Sequence, residues 1–278
     1  MELNWIESLI LGFVSGLGEI LPVSARAHSV ALLKIFGAED NLNLFYLLVH
    51  LAILVALYLT CRNQIHRYLR ARAISHIPKR KRRRPLDTRS LMDFRMLRTM
   101  IIPVILAYFF YNRCQNIAAK PLILAILLLV NGIILYLPQF FPGSNKDSRL
   151  LTRLEGLLMG LGGAASVIPG ISGVGASLSV GSLCGVDRTY ALTITMLMQI
   201  VIMAALVIYD IIGIISAGAG ALSFLIFLKY LLSAAAAFAG AYLGTRILRV
   251  MAENDGYSVF AYYCWGAALF IFILNLMA

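Results

Sequence analysis

The sequence predicts an all-α integral membrane protein, with six transmembrane helices and two re-entrant helical hairpins arranged as an inverted-topology repeat. Three observations predict it. The 278 residues are 60% hydrophobic and only 13% charged, with a mean hydropathy of +0.85. A soluble domain carries about a quarter charged residues and needs them to cover its surface. Six segments are long and apolar enough to cross the roughly 30 Å of bilayer hydrocarbon, and two further apolar segments are broken midway by Gly, Pro and Ser. A single membrane domain over 1–278 follows.

The first broken segment, about 5–36, is interrupted at Ser15-Gly16-Leu17-Gly18-Glu19-Ile20-Leu21-Pro22-Val23-Ser24. Proline lacks an N–H donor and clashes with the preceding turn, so no straight helix runs through. Irregular backbone at membrane depth survives only where protein or a water-filled cavity surrounds it, so a helix–turn–helix hairpin is expected. Spans follow at about 43–61, 96–112 and 120–138. The second broken segment, about 153–185, is interrupted from Gly162 to Gly173 around Pro169, and spans follow at about 189–211, 217–241 and 257–277. Aligning Pro22 with Pro169 pairs Gly16 with Gly163 and Arg26 with Gly173. Three crossings separate the two hairpins, so the second enters from the opposite face. That is the logic of an inverted repeat, about 5–138 and 153–277, with a binding site where the broken helices meet.

Charge orients the chain. Of 24 Lys and Arg residues, 13 lie between Arg62 and Arg98, centred on Lys79-Arg80-Lys81-Arg82-Arg83-Arg84, with only Asp87 and Asp93 to offset them. A basic loop over 62–95 beside apolar spans reads as cytoplasmic and attracts anionic lipids of the bilayer; no nucleic-acid partner is expected. Lys146, Arg149, Arg246 and Arg249 then fall on the cytoplasmic side, and Glu39-Asp40, the connection near 212–216 and the link carrying Arg113 and Lys120 on the other. The first hairpin opens to the exterior and the second to the cytoplasm. Glu2 and Glu7, with no basic run before the first apolar stretch, give no sign of a cleavable signal peptide. The four cysteines lack CxxC spacing and read as free thiols.

Ionisable side chains at membrane depth are costly and mark functional cavities. The first hairpin concentrates Glu19, Ser24, Arg26 and His28 within ten residues, and the second offers Ser166, Ser172, Ser177 and a run of glycines. These are parts suited to a phosphate ester or anhydride. Arginine clamps anionic oxygens, a carboxylate holds a divalent cation or moves a proton, and histidine transfers protons or attacks phosphorus. Glycine-rich turns entering helix N-termini, here Gly170 and Gly173, add backbone donors. Plainer readings stand beside these. Glu19 and Arg26 neutralise each other as a structural pair, His28 is an interfacial histidine, and the serines are small packing positions. His50 serves packing or function equally well, and Arg188 either starts a helix at the interface or meets a headgroup.

The stretch Ser15 to His28 (SGLGEILPVSARAH) and the stretch Pro169 to Gly175 (PGISGVG), with Gly185-Val186-Asp187-Arg188 following, resemble the undecaprenyl pyrophosphate phosphatases, the bacitracin-resistance proteins, whose patterns are EGxxExLPVSSxGH and PGxSRSG. The resemblance covers almost the whole chain. It implies a hydrolase acting on a phosphoric anhydride, which removes the terminal phosphate of undecaprenyl pyrophosphate and returns the lipid carrier to peptidoglycan synthesis. It further implies an outward-open site in the bacterial cytoplasmic membrane and a divalent cation, Mg²⁺ or Ca²⁺. Carried onto this chain, Glu19 (also the metal ligand), His28 and Ser24 are the expected catalytic residues. Arg26, Ser172, Gly170 and Gly173 are expected to bind phosphate, with Ser15, His50 and Arg188 behind them.

The chain departs from the family pattern at several positions. Ser15 replaces the first glutamate, Ala25 a serine, Gly173 the arginine and Val174 the serine after it. Arg26 and Gly173 each stand four residues after their proline, so a guanidinium transferred from the second hairpin to the first is the expected compensation. The alternative is a catalytically impaired relative that binds or translocates a polyprenyl phosphate.

Overall fold

A computed structural model describes residues 3–38, 42–83, 85–116, 120–141, 145–217, 223–253 and 257–276. The chain begins with α1 (Trp5–Ile20), started by a capping box in which Asn4 accepts the Glu7 N–H and the Glu7 carboxylate accepts the Asn4 N–H. Pro22 disfavours helical backbone at the residue before it, and Leu21 is extended (φ −73°, ψ 152°). The chain restarts as α2 (Ala25–Phe36), which ends at Gly37 in the left-handed conformation, φ 63°. Then come α3 (Asn43–Ser75), α4 (Thr88–Tyr108), the short α5 (Tyr111–Gln115) and α6 (Pro121–Tyr136). A second capping box, Thr152 with Glu155, opens α7 (Arg153–Ala164). A 3₁₀ turn and an extended link through Pro169 lead to α8 (Gly173–Leu183), capped by Ser172. The fold closes with α9 (Arg188–Ala217), α10 (Phe224–Glu253) and α11 (Val259–Leu276).

Both interruptions thus fall where the prolines demand. The four hairpin arms have 16, 12, 12 and 11 residues. At about 1.5 Å per residue none covers roughly 30 Å of hydrocarbon alone. Five helices are long and apolar enough to cross: α3, α6 continued to Phe140, α9, α10 and α11. The span expected at 96–112 lies on α4 and α5, where Arg89, Asp93, Arg95 and Arg98 keep α4 out of that set. The loop expected over 62–95 is mostly helix. Nothing between Arg62 and Ser75 breaks a helix, so α3 runs on until Pro78 approaches, and α4 starts at Thr88 with Asp87 as its cap. Among the described residues, 76–83 and 85–87 connect the two helices, with a 3₁₀ turn at Lys79–Lys81; Arg84, and Glu39-Asp40 of the expected outer side, lie outside the described residues.

Helix α9 is the axis of the bundle. Of its apolar stretch 67% is buried, against 28–39% for the other four long helices, and it packs on α3, α4, α8 and α10. Around it the arms of the two hairpins take corresponding partners, α1 on α10 and α7 on α4. Glycines let these backbones approach. A Cβ on Gly16 would stand 2.0 Å from the Ala237 carbonyl oxygen, and one on Gly160 would stand 2.3 Å from that of Met100. Ile102, Leu106, Ile215 and Leu225 point outward and are exposed, a surface whose natural solvent is lipid.

Candidate functional site

The two hairpin tips meet beside α6 and α9 and are tied together by side chains. Ser24 is, among the described residues, the one non-glycine with positive φ (φ 61°, ψ 91°). A side chain in such a conformation costs about 1–3 kcal/mol and persists only when its surroundings enforce it. Here the Ser24 hydroxyl accepts the Gly170 N–H of the other tip at 3.0 Å, and Gly170 itself needs φ 99°. Asn131 of α6, fully buried, donates to the Pro22 carbonyl at 3.1 Å and accepts the Ser172 N–H at 2.8 Å. One amide thus holds both tips. Gln199 of α9 donates to the Glu19 carbonyl (3.2 Å) and to its carboxylate (3.3 Å).

These ties shape two adjoining spaces. The larger, about 220 Å³, is walled by Ser15 and Glu19 of α1, Arg26 of α2, Tyr46 and His50 of α3, Tyr108 and Tyr111, Ser166 at the second tip, and Asp210 of α9. A recess of about 40 Å³ shares Glu19, Arg26 and Ser166 with it and adds Ser24, Ser172, Gly173 and Gln199. Arg26 donates from Nη1 to the Tyr46 hydroxyl at 3.2 Å and lies 5.5 Å from the centre of that ring. His50 and Asp210 meet at 2.6 Å between Nδ1 and Oδ2, their side chains only 12% and 10% exposed. The hydroxyls of Ser15 and Ser29 pair at 3.2 Å. Helix α2 has no side-chain cap, and Ser24, Ala25 and Arg26 at its N-terminus line the recess, an arrangement that favours an anion.

The expected residues divide accordingly. Glu19, Arg26, Ser24, Ser172 and Gly173 come together in the recess, and Ser15 and His50 join Glu19 and Arg26 in the larger cavity. Gly170 spends its N–H on Ser24 and lines neither space. His28 is not brought in. It follows Arg26 by two residues, about 200° around the helix, so only one of the two can face the cavity. Its Nδ1 meets the Ser24 carbonyl and its Nε2 the Tyr263 hydroxyl, each at 2.8 Å. The ring borders a separate apolar groove with Val14 and Phe270. Arg188 is 22 residues from Asp210 along α9, or about 33 Å, at the far end of the helix from the cavity.

Sequence reasoning passed over Asp210, Tyr46 and Asn131. Asp210 carried a usable signal, being the one charged residue between Thr189 and Ala217, and a lone intramembrane carboxylate marks a functional position. Tyr46 and Asn131 carried none, since phenols and amides are unremarkable in apolar spans until their partners are known.

The glycine at the family's arginine position is enforced by its surroundings. A Cβ on Gly173 would lie 2.6 Å from the Gly163 carbonyl oxygen and 2.7 Å from the Ser166 Cβ, so a side chain there requires the backbone to shift. Among the described residues no group of three His, Cys, Asp or Glu side chains could hold a metal. Glu19 offers one carboxylate, already touched by Gln199. Mg²⁺ is commonly held by one or two carboxylates together with substrate phosphates, so these residues fit a cation that arrives with a pyrophosphate and do not form an all-protein cage.

The family model described as bacitracin resistance protein BacA matches residues 8–270. The undecaprenyl-diphosphatase of Methanobrevibacter smithii is 29% identical over 278 residues, covering 96% of each chain. That of Carboxydothermus hydrogenoformans is 27% identical over 273 residues, covering 98% of each. That of Methanococcus vannielii is 26% identical, covering 96% of this chain and 98% of its own.

Proposed function

The chain belongs to the bacitracin resistance protein BacA family, and from that premise we propose that it is a membrane phosphatase that hydrolyses undecaprenyl pyrophosphate to undecaprenyl phosphate and inorganic phosphate. One observation carries the reading. Arg26, Glu19 and the uncapped end of α2 converge on a recess built by both hairpin tips, which is what an anionic headgroup entering from the bilayer needs.

In this reading α4 is the sixth span, and the hairpins α1–α2 and α7–α8 are re-entrant and related by an inverted repeat. The matching partners of α1 and α7, and the shortness of all four arms, support that arrangement. The cavity lies near the start of α3 and the end of α9, while the basic residues from Arg62 onward extend α3 at its other end. By the positive-inside rule the site opens to the outer face of the cytoplasmic membrane, and anionic lipids gather at the basic end.

Arg26 holds the terminal phosphate with the N-terminus of α2. The hydroxyls of Ser24 and Ser172 line the phosphate recess. Glu19 holds the pyrophosphate's divalent cation, Mg²⁺ or Ca²⁺, which when bound neutralises charge on the phosphates. His28 keeps Ser24 in its strained conformation through the carbonyl bond and takes no part in the chemistry. The guanidinium absent at Gly173 is supplied by Arg26, which lines the same recess.

The test is phosphate release from undecaprenyl pyrophosphate by the purified protein in detergent with Mg²⁺ or Ca²⁺, beside Glu19→Gln and Arg26→Ala. Turnover in the parent and its loss in both variants is the expected result. The missing arginine at Gly173 favours a second reading, a relative that binds or translocates a polyprenyl phosphate. A folded parent that binds undecaprenyl phosphate and releases no phosphate would establish that one instead.

A further inference from the structure

We propose that His50, oriented by Asp210, is the general base that activates the attacking water; this rests on the phosphatase reading above. The two residues come from α3 and α9, 160 positions apart in sequence, and close to 2.6 Å inside the cavity that holds Glu19 and Arg26. A carboxylate on Nδ1 fixes the proton on that nitrogen and leaves the Nε2 lone pair as the basic one, the geometry by which an aspartate sets a histidine's tautomer. Among the described residues Nε2 has no hydrogen-bond partner. Tyr46 ties this imidazole to the phosphate-holding arginine: its ring stacks on His50 with centroids 6.0 Å apart, and its hydroxyl accepts from Arg26. The charged and titratable groups facing His50 are Asp210 and Tyr209 of α9, Glu19 of α1, Arg26 of α2, Tyr46 of its own helix, and Tyr108 and Tyr111. His28, whose two ring nitrogens are both engaged, has no free base to offer.

The step balances. Water attacks the terminal phosphorus and one of its protons passes to Nε2 as the new O–P bond forms. The bridging O–P bond breaks, and its electron pair leaves on the lipid phosphate. The proton on Nε2 then returns to a product phosphate, so water is the one co-reactant. His50 touches the reacting atoms, whereas Asp210 acts through it as a positioning residue.

A buried His–Asp pair can also be a plain tie between two helices, and the test separates the two. Phosphate release is measured for the full-length parent, His50→Ala, His50→Gln, Asp210→Asn and Asp210→Glu, each with its melting temperature in detergent. The expected result is a kcat lower by about 10²–10⁴-fold in both His50 variants with KM little changed. Activity of His50→Ala should rise in proportion to added imidazole, and Asp210→Glu should regain most of what Asp210→Asn loses. An active parent whose His50 variants match it, or whose His50→Ala loss imidazole does not restore at all, overturns the proposal while leaving the phosphatase reading intact. A parent with no turnover defeats that reading itself, and this inference with it.

Discussion

The two broken hairpins are built alike and furnished differently. Both start with a capping box, break before a proline and rest their first arm on a partner helix through glycines. The first carries Glu19 and Arg26, a serine forced to positive φ and an uncapped second helix. The second has no charged side chain from Gly156 to Val186, and its second helix is capped by its own Ser172. Where two arms share one recess, a charge is needed from only one of them. The other serves by being small enough to let it in, as the crowding around Gly173 requires.

The largest expected effect tests that division directly. Arg26→Ala should lower phosphate release about 10³-fold or more, the scale for an arginine at a transferring phosphoryl group. Adding Gly173→Arg should not restore it, because the Gly163 carbonyl occupies the space. A double variant with parental rates would make the hairpins interchangeable and break the comparison. Next comes Asn131→Ala, which leaves the Ser172 N–H without its partner and the Pro22 carbonyl with only the weak Cys264 thiol donor at 3.7 Å. A loss of about 2–4 kcal/mol is expected for two buried groups, read as a lower melting temperature in detergent. Smaller again are the arms. Gly16→Ala meets rigid backbone at Ala237, and overpacking of that kind costs about 1–3 kcal/mol. Gly156→Ala meets only the end of the Met96 side chain and should cost less; equal losses would show that backbone contact is not what sets the scale.

The smallest effect lies away from both hairpins. The N–H and hydroxyl of Ser90, with Arg67 nearby, hold the Asp87 carboxyl below the ordinary carboxylate range. A depressed folded value contributes stability above the unfolded pKa and loses it as pH falls through the folded one. Acidification through the carboxylate range should therefore lower the melting temperature of the parent slightly more than that of Asp87→Asn.

The hairpin boundaries were legible because Pro22 and Pro169 act locally and leave the backbone no choice. The length of α3 was not, since apolarity marks where a span lies and says nothing about where a helix stops; α3 ran on through Arg62 to Ser75 for want of a breaker. Crowding in sequence pointed to Glu19 and Arg26, which line one cavity, and equally to His28, which borders a separate groove. Two residues along a helix is the opposite face, while His50, far off in sequence, reaches the cavity by packing. Asp210 was passed over inside the expected span 189–211, although it is the one charged residue between Thr189 and Ala217.

The bare N-terminus of α2 has a consequence for the purified protein. A phosphate headgroup held there, as proposed above, would serve as the cap that no side chain provides, so its binding should stabilise the folded protein. Ligand that binds only the folded form adds RT ln(1 + [L]/Kd) to its stability. Heat resistance in detergent should therefore report how much lipid carrier has survived the preparation.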